Sequence, residues 1–232
     1  MKTEINPITD GANMARRSFL RYAGASAAAV AVMGAAASCS KNDRVIVTPG
    51  GGADIGSGDP GILNYAYALE QLEAAFYLQV IATPYSGISA IETSYLTDIR
   101  DHEVVHRDFF KAALGSKAIA ALTPDFSKID FSSRDKVLGA AKAFEDLGVQ
   151  AYDGAGYLIK DAGYLTIAGK IVSVEARHAA LISNLISPGT FVPADQVNSD
   201  GLNKSASIAE VLAQANTYLK TKVSAVNYNY KP

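Results

Sequence analysis

The strongest constraint on this chain is a repeated placement of acids and imidazoles on apolar helical seams. Glu103-Val104-Val105-His106 and Glu175-Ala176-Arg177-His178 are both Glu-x-x-His units. Each is preceded by a lone glutamate with a tyrosine seven residues on, Glu70 with Tyr77 and Glu145 with Tyr152. The spacing around them runs by threes and fours: Leu63, Ala66, Glu70, Glu73, Tyr77, Val80; then Leu96, Ile99, Glu103, His106, Phe110. It continues as Leu138, Ala141, Glu145, Gly148, Tyr152, Ala155, Ile159, and as Ala168, Ile171, Glu175, His178, Ile182, Leu185. That period predicts four helices packed along these stripes. A carboxylate on a buried stripe is costly unless a cation or hydrogen bonds compensate it, and four together would repel one another. Two divalent cations would cancel four carboxylates. Six oxygen and nitrogen ligand groups suit iron or manganese. At i and i+3 of a helix, Glu and His share a face, so each unit can hold one ion, with Glu70 and Glu145 free to bind or bridge.

The four stripes divide into helices near Gly61 to Pro84, Ser89 to Gly115, Ser133 to Ile159 and Gly163 to Ile186. Ser89-Ala90-Ile91-Glu92 has the form of a capping box, and Gly115 is suited to a C-terminal stop. The links at 84–88 and near 160–163 are short and imply antiparallel neighbours. Residues 116–131, with Thr123-Pro124-Asp125, look irregular and need a reason to be long. A crossover supplies one, since such a link extends to about 50 Å against a helix length of about 38 Å. The two halves align, and in that register Glu73 faces Gly148, which makes Glu70 the better ligand of its helix. Glu73 is left as a ligand, a partner of a ligand or a partly exposed acid. Tyr77 and Tyr152 read as core residues able to donate hydrogen bonds near the site or to relay single electrons. Beyond the bundle (61–187), residues 188–232 supply a loop, a short helix opened by the Ser207–Glu210 capping box and running to about Lys220 across one bundle end, and a tail without assigned chemistry.

The N-terminal 39 residues belong to export, not to the fold. Ala15-Arg16-Arg17-Ser18-Phe19-Leu20-Arg21 resembles a twin-arginine signal, followed by an alanine-rich run from Tyr22 to Ala37 that is short for a permanent membrane span. A basic N-terminus with an anchor helix is the alternative. Ala36-Ala37-Ser38-Cys39 resembles a bacterial lipoprotein cleavage site, with Ala36 where leucine is usual. Cys39 is the only cysteine, which rules out a disulfide within one chain and any Cys-x-x-Cys metal knuckle; lipidation suits its position. Residues 40–60 are rich in Gly, Asp and Ser and read as a flexible tether. Removing residues 1–38 takes away four of the 21 Lys and Arg and two of the 23 Asp and Glu, leaving a formal charge of −4. With no basic cluster, a nucleic-acid partner is not expected.

His102-Glu103-Val104-Val105-His106 also matches the zinc-protease pattern His-Glu-x-x-His, with His102 and His106 as ligands and Glu103 as base. That reading leaves Glu145, Glu175 and His178 unexplained, and His102 lies beside the helical stripe, not on it. The segments LEQLEAAFY (69–77), HEVVHRDFF (102–110), FEDLGVQAY (144–152) and VEARHAALI (174–182) instead resemble the secreted bacterial ferritin-like domain family, which includes desiccation-related proteins. The resemblance covers about residues 61–220. It implies an all-α, ferritin-like four-helix bundle with the long crossover between helices 2 and 3, plus the short C-terminal helix. It also implies a di-iron or related carboxylate centre on Glu70, Glu103, His106, Glu145, Glu175 and His178. The chain lacks the rubredoxin-like module with which rubrerythrins deliver electrons, so the donor is unspecified.

Two functions follow as expectations. One is a di-iron oxidoreductase, ferroxidase- or peroxidase-like, using two iron ions (manganese or a mixed pair being alternatives) with oxygen or peroxide as partner. The other is a non-catalytic, metal-braced scaffold for stress or desiccation tolerance. Iron storage is a third, needing a closed shell. Either of the first two would act in the periplasm or on the membrane-anchored cell envelope, through a lipid on Cys39.

Overall fold

Ser57, Ser89, Ser133 and Asp161 each precede a helix in extended backbone, and the last three accept a backbone N–H with their side chains. These caps satisfy amides that have no partner inside a helix. In the computed structural model, which describes residues 52–232, they open α1 (Gly58–Ala82), α2 (Ala90–Leu114), α3 (Arg134–Ala155) and α4 (Ala162–Ile186). The Ser89–Glu92 capping box is fully formed, and Gly115 closes α2 at φ +53°. Pro60 does not delay α1: in a first turn its missing N–H costs no hydrogen bond, so the helix begins before Gly61. The third helix stops at Ala155 and tightens into a short 3-10 turn at Gly156–Leu158, where an unbroken helix to Ile159 was predicted. The export signal, Cys39 and the tether up to residue 51 lie outside the described residues.

The helices pair as α1 with α2 and α3 with α4, and α1 also packs on α3. The link between the pairs runs along α1 for most of its length. Asn64 accepts the N–H of Ile119 and donates to the carbonyl of Lys117, and Gln71 accepts the N–H of Leu122. These side chains satisfy backbone groups that an irregular buried segment would otherwise leave unpaired. Further on, Phe126 and Phe131 enter an aromatic cluster with Phe76 of α1 and Phe144 of α3. The crossover is therefore real, and it is packed against the core as well as spanning it. At its end Arg134 pairs with Glu92 of α2 and donates to the Leu185 carbonyl of α4, tying three helices together. Burial would raise the Glu92 acid, but Arg134 and the Ser89 cap bring it below its ordinary value.

A short helix α5 (Ile208–Ala215) follows its Ser207–Glu210 capping box and ends earlier than Lys220, in a turn at Asn216–Tyr218. It packs on α3 and α1. Tyr218 stacks edge-on against Phe144 in the middle of α3, at 4.8 Å. Near the end of α3, Ala206 donates to the Gln150 carbonyl. The segment thus lies along the flank of the bundle, not across an end. Gly154 permits that approach, since a Cβ there would fall 1.9 Å from the Ala206 carbonyl oxygen.

Three further residues of the predicted tether are also placed. Strand β1 (Ala53–Asp54) pairs in parallel with β2 (Val223–Ser224), and Ile55 is buried. Asp54 reinforces the pairing by accepting from Ser224 and from the amide of Val226. Residues 53–55 are thereby fixed to the C-terminal segment. Glycine-rich composition alone could not reveal this, because the partner lies at the far end of the sequence. No helix among the described residues is long and apolar enough to cross a membrane.

Candidate metal centre

The four helices bring six predicted ligands together at mid-bundle. Glu70 comes from α1, Glu103 and His106 from α2, Glu145 from α3, and Glu175 and His178 from α4. All four carboxylates are 0% exposed and both imidazoles are buried. The side chains form two overlapping groups, Glu70–Glu103–His106–Glu175 and Glu103–Glu145–Glu175–His178, each with one ligand atom per residue lying within 4.8 Å of the others. Either group could hold a metal ion.

Glu103 and Glu175 belong to both groups, while Glu70 and Glu145 belong to one each. The shared positions therefore fall to the glutamates of the Glu-x-x-His units, where the sequence had left bridging open to Glu70 and Glu145. Each histidine also sits closer to the other unit's acid than to its own. His106 Nδ1 lies 2.9 Å from Glu175 and 3.7 Å from Glu103, and His178 Nδ1 lies 2.8 Å from Glu103 and 3.8 Å from Glu175. A single unit does not define an ion's surroundings; the two units interlock.

The donor atoms fit a pair of cations. Glu70 Oε2, Glu145 Oε2, both oxygens of Glu103, both of Glu175, and Nδ1 of both histidines are buried without a hydrogen-bond partner. Buried polar atoms are seldom left so, and an ion is one of the few ways to satisfy them. Contacts near 3 Å between histidine and carboxylate atoms match the spacing of neighbouring ligands around an ion with bonds of about 2.1 Å. The two remaining oxygens are already occupied. The Tyr77 hydroxyl donates to Glu145 Oε1 and the Tyr152 hydroxyl donates to Glu70 Oε1, both at 2.5 Å. These phenols turn the other oxygen of each acid inward, a more specific role than core packing.

The electrostatics show how the cluster coexists with burial. Burial raises Glu103 to about 7, against the pull of His106 and His178. Burial and the surrounding carboxylates push Glu175 and Glu73 well above the ordinary range. Burial also works on Glu70, but the charge of His106 and the Tyr152 hydrogen bond hold that acid below its usual value. The imidazoles lose solvation, yet the acids around them more than compensate: His178 rises to about 11 and His106 rises further still. The metal-free centre thus holds extra protons, which a cation would displace.

Glu73 is buried but joins neither group. Its carboxylate fits because α3 has Gly148 there: a Cβ would stand 3.1 Å from Glu73 Oε1 and 3.6 Å from Glu175 Oε2. Residue 73 is therefore a neighbour of a ligand, and its burial removes the partly exposed alternative. His102 also joins neither group. It is an exposed residue whose Nδ1 sits 3.0 Å from the outer nitrogen, Nε2, of His178, with the near-parallel rings edge to edge, their centres 5.2 Å apart. Glu103 lies among the other acids instead of standing over an ion held by His102 and His106, so the protease arrangement is not formed. The contact between His102 and His178 escaped the sequence reading because it crosses from α2 to α4.

Residues 58–188 match a family described as ferritin-like domain. No curated protein matches the chain closely enough to count as a relative.

Proposed function

From the premise that the chain belongs to the ferritin-like domain family, we propose that it is an exported di-metal carboxylate protein that oxidises Fe(II) with oxygen or peroxide. The observation that carries this reading is the convergence of six carboxylate oxygens and two imidazole nitrogens, all buried and all without hydrogen-bond partners. Oxygen and nitrogen donors without sulfur favour two iron ions, with manganese or a mixed pair as alternatives. Bound there, such a pair would supply reversible one-electron chemistry at a buried site.

The chain's own residues do the rest. Glu103 and Glu175 would contact both ions, Glu70 and Glu145 would complete one side each, and Tyr152 and Tyr77 orient those two acids. Glu73, a buried acid beside Glu175, would be placed to supply a proton when peroxide is converted to water. Each peroxide so consumed takes two electrons from two Fe(II) and two protons. The twin arginines at 16 and 17 and Cys39 support action outside the cytoplasm, in the periplasm or anchored by lipid to the envelope.

Complete burial of the four acids equally suits a metal-braced scaffold without turnover. Oxygen and peroxide consumption with added Fe(II) separates the two readings. Wild type should turn over, and Glu103→Ala should be slower by at least about 100-fold, because a ligand shared by both ions is lost. Equal rates would sink the redox reading. A native protein containing no iron or manganese, or a single zinc, would overturn the di-metal assignment itself.

A further inference from the structure

The pseudo-symmetry of the two halves breaks at the residue before each Glu-x-x-His unit. His102 precedes Glu103, whereas Val174 precedes Glu175. Only the second histidine ligand has an imidazole behind it, His102 Nδ1 at 3.0 Å from His178 Nε2 with the two rings within 7° of parallel. Among the described residues, His106 has no such hydrogen bond on its outer nitrogen.

We infer that His102 is a positioning residue for the ion held by Glu103, Glu145, Glu175 and His178, and that it makes this ion the more tightly held of the two. The inference rests on the di-metal reading above. A neutral imidazole has one N–H and one lone pair. If the lone pair of His178 Nδ1 is aimed at a cation, its proton must be on Nε2. The lone pair of His102 Nδ1 is placed to accept that proton's hydrogen bond. This fixes the tautomer and the ring plane, and it makes Nδ1 a stronger donor to metal. Partners of this kind change metal affinity by roughly 10–100-fold. His106 has to find its tautomer without such help, so the two groups should fill in order, that of His178 first.

The test is anaerobic titration of the full metal-free protein with Co(II), read by calorimetry and by Co(II) absorption, without any need for turnover. Wild type should show two binding events separated by about 10-fold or more. His102→Ala should weaken the tighter event by roughly 10–100-fold and merge the two. His102→Asn, whose amide oxygen can stand where Nδ1 stands, should restore the separation. Since residue 102 is exposed, all three proteins should fold, and circular dichroism checks that they do. Two events unchanged in His102→Ala, or both weakened equally, would overturn the inference while leaving the metal centre intact. Wild type that binds no Co(II) would instead overturn the di-metal reading and this inference with it.

Discussion

The α1–α2 and α3–α4 halves agree where charge demands it and differ where it does not. Tyr77 of the first half holds Glu145 of the second, and Tyr152 of the second holds Glu70 of the first, at the same 2.5 Å. The histidines cross over with equal reciprocity, at 2.9 and 2.8 Å to the other unit's glutamate. Against this, Glu73 faces Gly148, and His102 takes the place of Val174. The surroundings differ as well. Helix α1 is buried on nearly every side, whereas α4 buries little more than the stripe of Ile171, Glu175, His178 and Ile182. The buried acid and imidazole cluster thus keeps its inner atoms near-symmetric, while the residues behind them differ between the halves.

That comparison can be broken most sharply by metal content. Glu175→Ala removes an acid shared by both groups and should abolish tight binding of both ions. Glu145→Ala removes an acid used by one group and should cost one ion. Elemental analysis after anaerobic loading and desalting reads the difference, and equal losses would refute the shared role of Glu175. A smaller effect tests the crossed tyrosines. Tyr77→Phe and Tyr152→Phe should each destabilise the loaded protein by about 1.5–3 kcal/mol, the usual loss for a hydrogen bond to a charged group. Urea unfolding should give values within about 0.5 kcal/mol of one another; a large inequality would show that the phenols are not equivalent.

The smallest effect concerns pH. Glu103, at about 7, lies above its ordinary 4.5, and Glu73 and Glu175 are raised well above theirs. Acids raised on folding stabilise fully below their unfolded value, and that contribution is lost as pH rises through the folded value. His106 and His178 act in the same direction, with His178 losing its share progressively from its ordinary 6.5 up to about 11. Within the cluster Glu70 opposes, losing its contribution in acid, as does Glu92 outside it. The metal-free protein should therefore lose on the order of 3–5 °C in Tm between pH 5 and 8. Glu73→Gln, which removes the acid lacking a counterpart in α3, should flatten that slope. A Tm rising over this range would contradict the assigned protonation.

Much of this was legible in the residues themselves. Spacing by threes and fours located the seams, because a helix buries a stripe, and the Ser89 and Ser207 boxes marked helix starts through local hydrogen bonds. The Glu-x-x-His units marked the candidate ligands, because buried acids at matching heights call for compensating positive charge. What could not be read was set by distant partners. Aligning Glu73 with Gly148 demoted it as a ligand but did not show that the missing Cβ makes room for its carboxylate. Periodicity placed His102 off the stripe, correctly, yet was silent on the neighbouring helix it reaches. The sharing of Glu103 and Glu175 depends on how the two pairs interlock, which no single helix encodes.

The β1–β2 pair has a consequence for the order of folding. Asp54 and Ser224 are 170 residues apart, so their contact cannot form until nearly the whole domain has been synthesised. Closing so long a loop is slow unless the intervening chain has already collapsed. The bundle should therefore assemble first and its N-terminal strand be latched last, from the other end of the domain. Until that latch closes, Ile55 remains outside the core, and a newly made chain offers proteases a loose N-terminal segment. The approach of the described chain to α1 is thus held by a segment from near its other end.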